Sequence, residues 1–153
     1  MPANWIIIGL GNEFRNDDGV GLLVARQIQE AQLPQVTVKE QSGEGAALID
    51  SWKTYEKVVL VDAVSSGAIP GTVVRIDARV ENIPTKFFRY STHAFGLAEA
   101  VELTRALDAM PQELIVYGIE GKDFDSGTTI SPLVQEAALK LSQKIISDIK
   151  NER

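Results

Sequence analysis

The 153 residues contain no cysteine and only one histidine, His93. The first absence excludes disulfides, thiolate metal ligands and a cysteine nucleophile. It is compatible with a reducing compartment, and the expected location is the cytoplasm. The second excludes any site that needs two histidines from one subunit. No apolar stretch approaches the roughly 20 residues that cross a bilayer. The start, MPANW, has neither a basic segment nor a cleavable apolar one, so neither a secretory signal nor a membrane partner is expected. No block of lysine and arginine interrupts a chain of net charge −6, which argues against nucleic acid as a partner. Gly-Lys-Ser/Thr and G-x-S-x-G are also missing, excluding a phosphate-binding P-loop and a serine-hydrolase elbow. Without repeats, linkers or low-complexity segments, residues 1–153 read as a single domain long enough to bury a core.

What is present alternates regularly. WIIIG at 5–9 and KVVLVDA at 57–63 are continuous apolar runs, the pattern of strands covered on both faces. VTVKE at 36–40 and ELIVYGI at 113–119 add two more strands. Val20, Leu23, Val24, Ile28 and Ala31 have helical spacing. A short helix is expected over Gly45–Trp52, another from Thr92 to Ala106, and a C-terminal one marked by Val134, Ala137, Ala138, Leu141, Ile145 and Ile149. TVVRID at 72–77 follows the turn cluster SSGAIPG. That connection is too short for a crossover helix, so this strand should pair antiparallel. Residues 79–91, with Pro84, read as a loop. The sum is an α/β fold, a three-layer α/β/α sandwich with a mostly parallel, twisted five-stranded sheet and one antiparallel strand.

In such sheets ligands bind beyond the carboxyl ends of the strands. Asp17 and Asp18 follow the first strand, Glu40 and Glu44 the second, and Asp62 ends the third. His93 opens the helix leading to the fifth strand and is expected at the same edge. The loop GLGNEFRNDDGVG at 9–21 admits two chemistries. A dinucleotide reading has a G-x-G after a strand and Glu40 as the ribose acid. It lacks the third glycine, replaced by Phe14, and sets Asp17 and Asp18 where a helix N-terminus would attract phosphate. A metal reading takes Asp18, Asp62 and His93 as two carboxylates and an imidazole for a borderline divalent ion such as nickel, zinc, iron or manganese. Glycines 9, 11, 19 and 21 would let the loop turn tightly and let something bulky approach. Plain structural roles stand beside these: one of Asp17 and Asp18 caps the first helix, Thr92 caps a later one, and Asp123 and Asp125 keep a polar loop solvated.

GLGNEFRNDDGVG, VVLVDAV and STHAFGL, in this order and spacing, resemble the hydrogenase maturation proteases over nearly the whole chain, from Trp5 to about Ile149. The resemblance implies an α/β/α fold and a metal-dependent endopeptidase. Its expected partner is the precursor of a nickel–iron hydrogenase large subunit, from which it removes a C-terminal extension after nickel insertion. The implied metal and catalytic positions are Asp18, Asp62 and His93, with nickel supplied or shared by the precursor and other divalent ions able to substitute. Asp17 becomes a cap or a supporting partner. Asp17, Glu40 and Gly43 are expected to assist the ligands or touch substrate, with Asp17 or Glu40 as a general base. Many members carry Asp-Gly-x-Thr after the second strand, whereas this chain has Glu40-Gln41-Ser42-Gly43, implying a different hydrogenase as substrate. Two alternatives accompany this reading: a metal-sensing assembly factor that binds the precursor without cutting it, and a dinucleotide-binding module.

Overall fold

The computed structural model describes residues 4–88 and 93–152. The chain forms β1 (Trp5–Leu10), α1 (Val20–Glu30), β2 (Val36–Gln41), α2 (Gly45–Trp52), β3 (Lys57–Val64), β4 (Val73–Asp77), α3 (Leu97–Ala106), β5 (Glu113–Glu120) and α4 (Pro132–Lys150). The five strands make one sheet in the order β2-β1-β3-β5-β4. β2, β1, β3 and β5 run parallel, and β4 closes the edge antiparallel to β5, as the short turn before it predicts.

The apolar runs are continuous because alternate side chains enter two separate cores. Ile6, Ile8, Val58, Leu60, Leu114 and Val116 pack with Leu48, Trp52 and Val101 from α2 and α3 on one face. Ile7, Val59, Val61 and Ile115 pack with Val24 and Ile28 of α1 and Ala138 and Leu141 of α4 on the other. Each such aliphatic side chain withdrawn from water contributes about 1.5–3 kcal/mol. The stretch read as a plain loop also feeds the first core, through Ile83 and Phe88.

The glycines of the first loop serve this packing. A Cβ on Gly9 would lie 2.3 Å from the carbonyl oxygen of Gly21, and one on Gly21 2.3 Å from that of Val61. The bulky thing that comes close at these two positions is therefore the protein itself, as α1 presses its first turn onto β1 and β3. Gly11, with φ +142, brings the chain against the Asp18 carbonyl oxygen, 2.0 Å from where a Cβ would stand.

One helix begins later than the sequence suggests. α3 starts at Leu97, so His93 lies ahead of it rather than in its first turn. Phe95 is the cause. Its carbonyl accepts the Gly45 N–H at 2.8 Å, and its ring fills the space a Cβ on Gly45 would take. That ties residues 93–96 to α2. Gly96 is extended, and the Glu99 carboxylate accepts its N–H at 2.9 Å, opening the helix there. The expected cap, Thr92, lies outside the described residues. Among the described residues no helix is long and apolar enough to cross a membrane.

Candidate active site

β1 leads through α1 to β2 on one side, while β3 lies on its other side. A crevice at the carboxyl ends of β1 and β3 is what such a reversal of strand order produces. A cavity of about 490 Å³ opens there, and Asp18, Asp62, His93 and Gly43 all line it. The three side chains expected to act together thus come from three separate segments to one cavity. Ser42, Arg15 and Phe14 share its wall; the sequence reading gave none of them a role. The signal for Ser42 was its place directly after β2, beyond the carboxyl end of the strand.

The adjacent acids of the loop part company. They occupy a single 3-10 turn, Asn16–Gly19, and α1 has Gly19 at its N-cap with no side-chain cap, so neither aspartate fills the capping role expected of one of them. Asp17 is fully buried. Its carboxylate accepts the backbone N–H groups of Lys122 (2.8 Å), Asp123 (3.0 Å) and Ser131 (2.7 Å), and the Ser131 hydroxyl at 2.8 Å. Burial pushes the Asp17 carboxyl up, but these hydrogen bonds together outweigh it and hold the group below the usual aspartate range. Ser131 is the N-cap residue of α4, where a negative charge is also favoured by the helix dipole. Asp17 is therefore a clasp between the first loop and residues 122–131. Arg15 Nε donates to the Phe124 carbonyl at 3.2 Å, and the Asn16 N–H to that of Gly127 at 2.8 Å, on the same seam. Asp123 belongs to this seam rather than to a merely solvated loop: its carbonyl accepts the Asp17 N–H at 2.9 Å.

Asp18 faces the other way, into the cavity. Its Oδ2 accepts the Asn12 N–H at 2.9 Å. Burial raises its carboxyl, and the Asn12 bond and the positive charge of Arg15 offset only part of that. Asp62 sits two residues inside the end of β3, with Oδ1 accepting its neighbour Ala63 N–H at 2.8 Å. Burial first, and the negative charge of Asp18 second, push the Asp62 carboxyl well above its ordinary value. A buried carboxyl raised further by the charge of a neighbouring one marks a place where a cation would be welcome.

His93 meets a neighbour on the same cavity wall. Its Nε2 lies 2.9 Å from the Ser42 hydroxyl oxygen. Among the described residues, no three acid or histidine side chains are gathered tightly enough to hold a metal ion. The donor set, two carboxylates and an imidazole in one cavity, fits a borderline divalent ion by its chemistry.

The remaining candidates fall outside this centre. Glu40 forms a two-pronged ion pair with Arg26, Oε1 to Nη2 at 2.8 Å and Oε2 to Nε at 3.0 Å, so neither it nor Asp17 is placed as the base expected from sequence. Glu44 caps α2 by accepting the N–H groups of Ala46 and Ala47. For the dinucleotide reading, the glycines at 9 and 21 are taken up by strand–helix packing, and Asp18 holds the position of the phosphate.

Comparison with known proteins bears on family and fold. Residues 22–148 match the family model HycI, described as hydrogenase maturation protease. MJ0253 of Methanocaldococcus jannaschii, provisionally named a hydrogenase maturation protease, is 31% identical over 96% of this chain and 94% of its own length. The hydrogenase expression/formation protein HoxM of Azotobacter vinelandii is 26% identical over 95% of this chain and 73% of its own. Among solved structures, the [NiFe] hydrogenase maturation protease HybD from Thermococcus kodakarensis aligns with a TM-score of 0.72 at 27% identity, covering 94% of this chain and 97% of that one. The hydrogenase maturating endopeptidase HybD from E. coli aligns at 0.79 with 17% identity, covering 96% and 92%, and shows the same fold.

Proposed function

Since the chain belongs to the hydrogenase maturation protease family of endopeptidases, we propose that it removes a C-terminal extension from the large-subunit precursor of a nickel–iron hydrogenase. The cut follows nickel insertion, and Asp18, Asp62 and His93 are the working residues. The observation that carries this reading is the meeting of those three side chains in one cavity at the carboxyl edge of the sheet. The name of the T. kodakarensis relative supports a nickel–iron hydrogenase as the system served.

The nickel arrives as part of the substrate. Asp18 and Asp62 would hold it through carboxylate oxygens and His93 through a ring nitrogen, and the ion would supply Lewis acidity beside the scissile peptide. The chain itself brings the precursor's tail into a half-open cavity whose wall is partly apolar, through Phe14, Leu22 and Leu97. Hydrolysis adds water across the C–N bond, leaving a carboxylate on the large subunit and an amine on the released fragment. The raised Asp18 and Asp62 carboxyls are matched to accepting water's proton and passing it to that amine. Asp17 and Glu40, committed to other partners, hold the loop and the edge of the site in shape.

Mass spectrometry of the purified precursor, with and without nickel, tests this. Wild-type protein should release one C-terminal fragment from the nickel-loaded precursor only. A precursor of unchanged mass would mean that the protein binds without cutting, and cleavage that ignores nickel would remove the ion from the scheme.

A further inference from the structure

We infer that Phe14 is a specificity residue of this site: its exposed ring, carried on backbone held in fixed register to Asp18, seats an apolar side chain of the precursor's tail close to the scissile bond. This rests on the reading above and deepens it by naming what selects the substrate.

Among the described residues, Phe14 is the one large apolar side chain that is exposed and also lines the cavity. It is 64% exposed, whereas Leu22, Phe88 and Leu97 on the same wall are buried. A lone exposed apolar residue is ordinary on an open surface. At the mouth of a cavity that holds two carboxyls, it stands where an entering chain must pass. The backbone that carries the ring is held on both sides. The Phe14 N–H donates to Asn12 Oδ1 at 2.9 Å, and the Phe14 carbonyl accepts the Gly127 N–H at 2.9 Å. Asn12 also gives its own N–H to Asp18 Oδ2 at 2.9 Å. One residue thus ties the aromatic position to the acid, and a loop that could flex becomes a spacer of set length. A contact held ready in this way loses little to ordering when a ligand arrives. The cavity, at about 490 Å³, is roughly 10 Å across, or about three residues of extended chain. A peptide with its scissile bond over Asp18 and Asp62 therefore brings a side chain no more than about three residues away against Phe14. Glu13 and Arg15, on either side of Phe14 in the chain, line the same wall with opposite charges. They leave no net charge there to draw an ionised side chain, and apolar contact is the attraction that remains.

The test is steady-state cleavage of the purified nickel-loaded precursor by the full-length protein, with binding of the same precursor followed by calorimetry. Phe14→Ala should raise both Kd and KM about tenfold, the low end of what burying such a side chain contributes. Its kcat should stay close to wild type, because the contact is the same before and during the reaction. Phe14→Leu, which keeps an apolar side chain, should recover most of the loss. Replacing with serine, one at a time, the apolar residues within about three positions of the mapped cut identifies the partner side chain. One of these substitutions should weaken wild-type binding about tenfold and barely affect Phe14→Ala, the coupling expected of two groups in contact. A wild-type Kd for Phe14→Ala overturns the inference, as does a serine scan whose losses are equal in the two proteins. If wild type binds the precursor without cutting it, the protease reading falls, and the Kd values still decide the role of Phe14. If wild type neither binds nor cuts, both fall.

Discussion

At the amino-terminal edge of the sheet Lys57 lies between two carboxylates, 2.7 Å from Glu113 and in contact with Glu152, whereas at the carboxyl edge Asp18 and Asp62 confront each other across a cavity. Burial lowers the Lys57 ammonium, but the two carboxylates more than offset it, so its pKa ends above the ordinary lysine value. The acids are raised instead, Asp18 by burial and Asp62 by burial and the charge of Asp18. One edge neutralises its charges locally and so stabilises the fold. The other keeps an arrangement that opposes folding, and such sites are where function concentrates. Asp17, one residue from the cavity, belongs in character to the first kind of place: its charge is met by four hydrogen bonds.

The largest effect that would sharpen this contrast is on activity. Asp62→Asn should lower precursor processing by at least about 100-fold, the scale of a positioned acid–base group, and yet melt at a higher temperature than wild type at neutral pH. The sign follows from the raised folded-state pKa: ionised Asp62 costs stability above that pKa, and the cost vanishes below the unfolded value near 3.9. The gap in stability between variant and wild type should therefore close as pH falls. A variant less stable than wild type at neutral pH would break the comparison.

Asp17→Ala should act in the opposite direction. It takes the acceptor from three N–H groups and a hydroxyl, all partly buried, and should cost about 3 kcal/mol, read by denaturant unfolding. Because the folded-state pKa is depressed, this contribution is present above the unfolded value and is lost as pH falls through the folded one. Its stability loss should thus persist at every pH down to about 3.9. Lys57→Met at the far edge comes next, with a loss of about 1–2 kcal/mol and unchanged processing of the precursor, since its partners are only partly exposed and remain without their cation. Smallest is Glu40→Gln. Its pair with Arg26 is exposed, so stability should move by less than about 1 kcal/mol, and processing should continue; loss of cleavage would restore Glu40 as a base.

Much of the scaffold is legible in the sequence because burial on both faces leaves unbroken apolar runs. WIIIG and KVVLVDA carry that mark, and the brevity of SSGAIPG carries the antiparallel edge strand. The carboxyl-edge rule points to Asp18, Asp62 and His93, which share the cavity, but equally to Asp17, Glu40 and Glu44, which do not line it. What is not legible depends on contacts between distant segments. The start of α3 is set by Phe95 docking on Gly45, fifty residues away in the chain. The division of labour between Asp17 and Asp18 is set by backbone N–H groups at 122, 123 and 131, which no local pattern announces. Ser42 gains meaning only from the ring beside it. A glycine-rich loop likewise looks the same whether it admits a ligand or, as at Gly9 and Gly21, its own helix.

Anomalous diffraction at the nickel edge, from crystals soaked in a nickel salt, bears most directly on the central claim. A single peak ligated by Asp18, Asp62 and His93 is the predicted result. A peak elsewhere on the molecule, or one held by the two acids without His93, would contradict it.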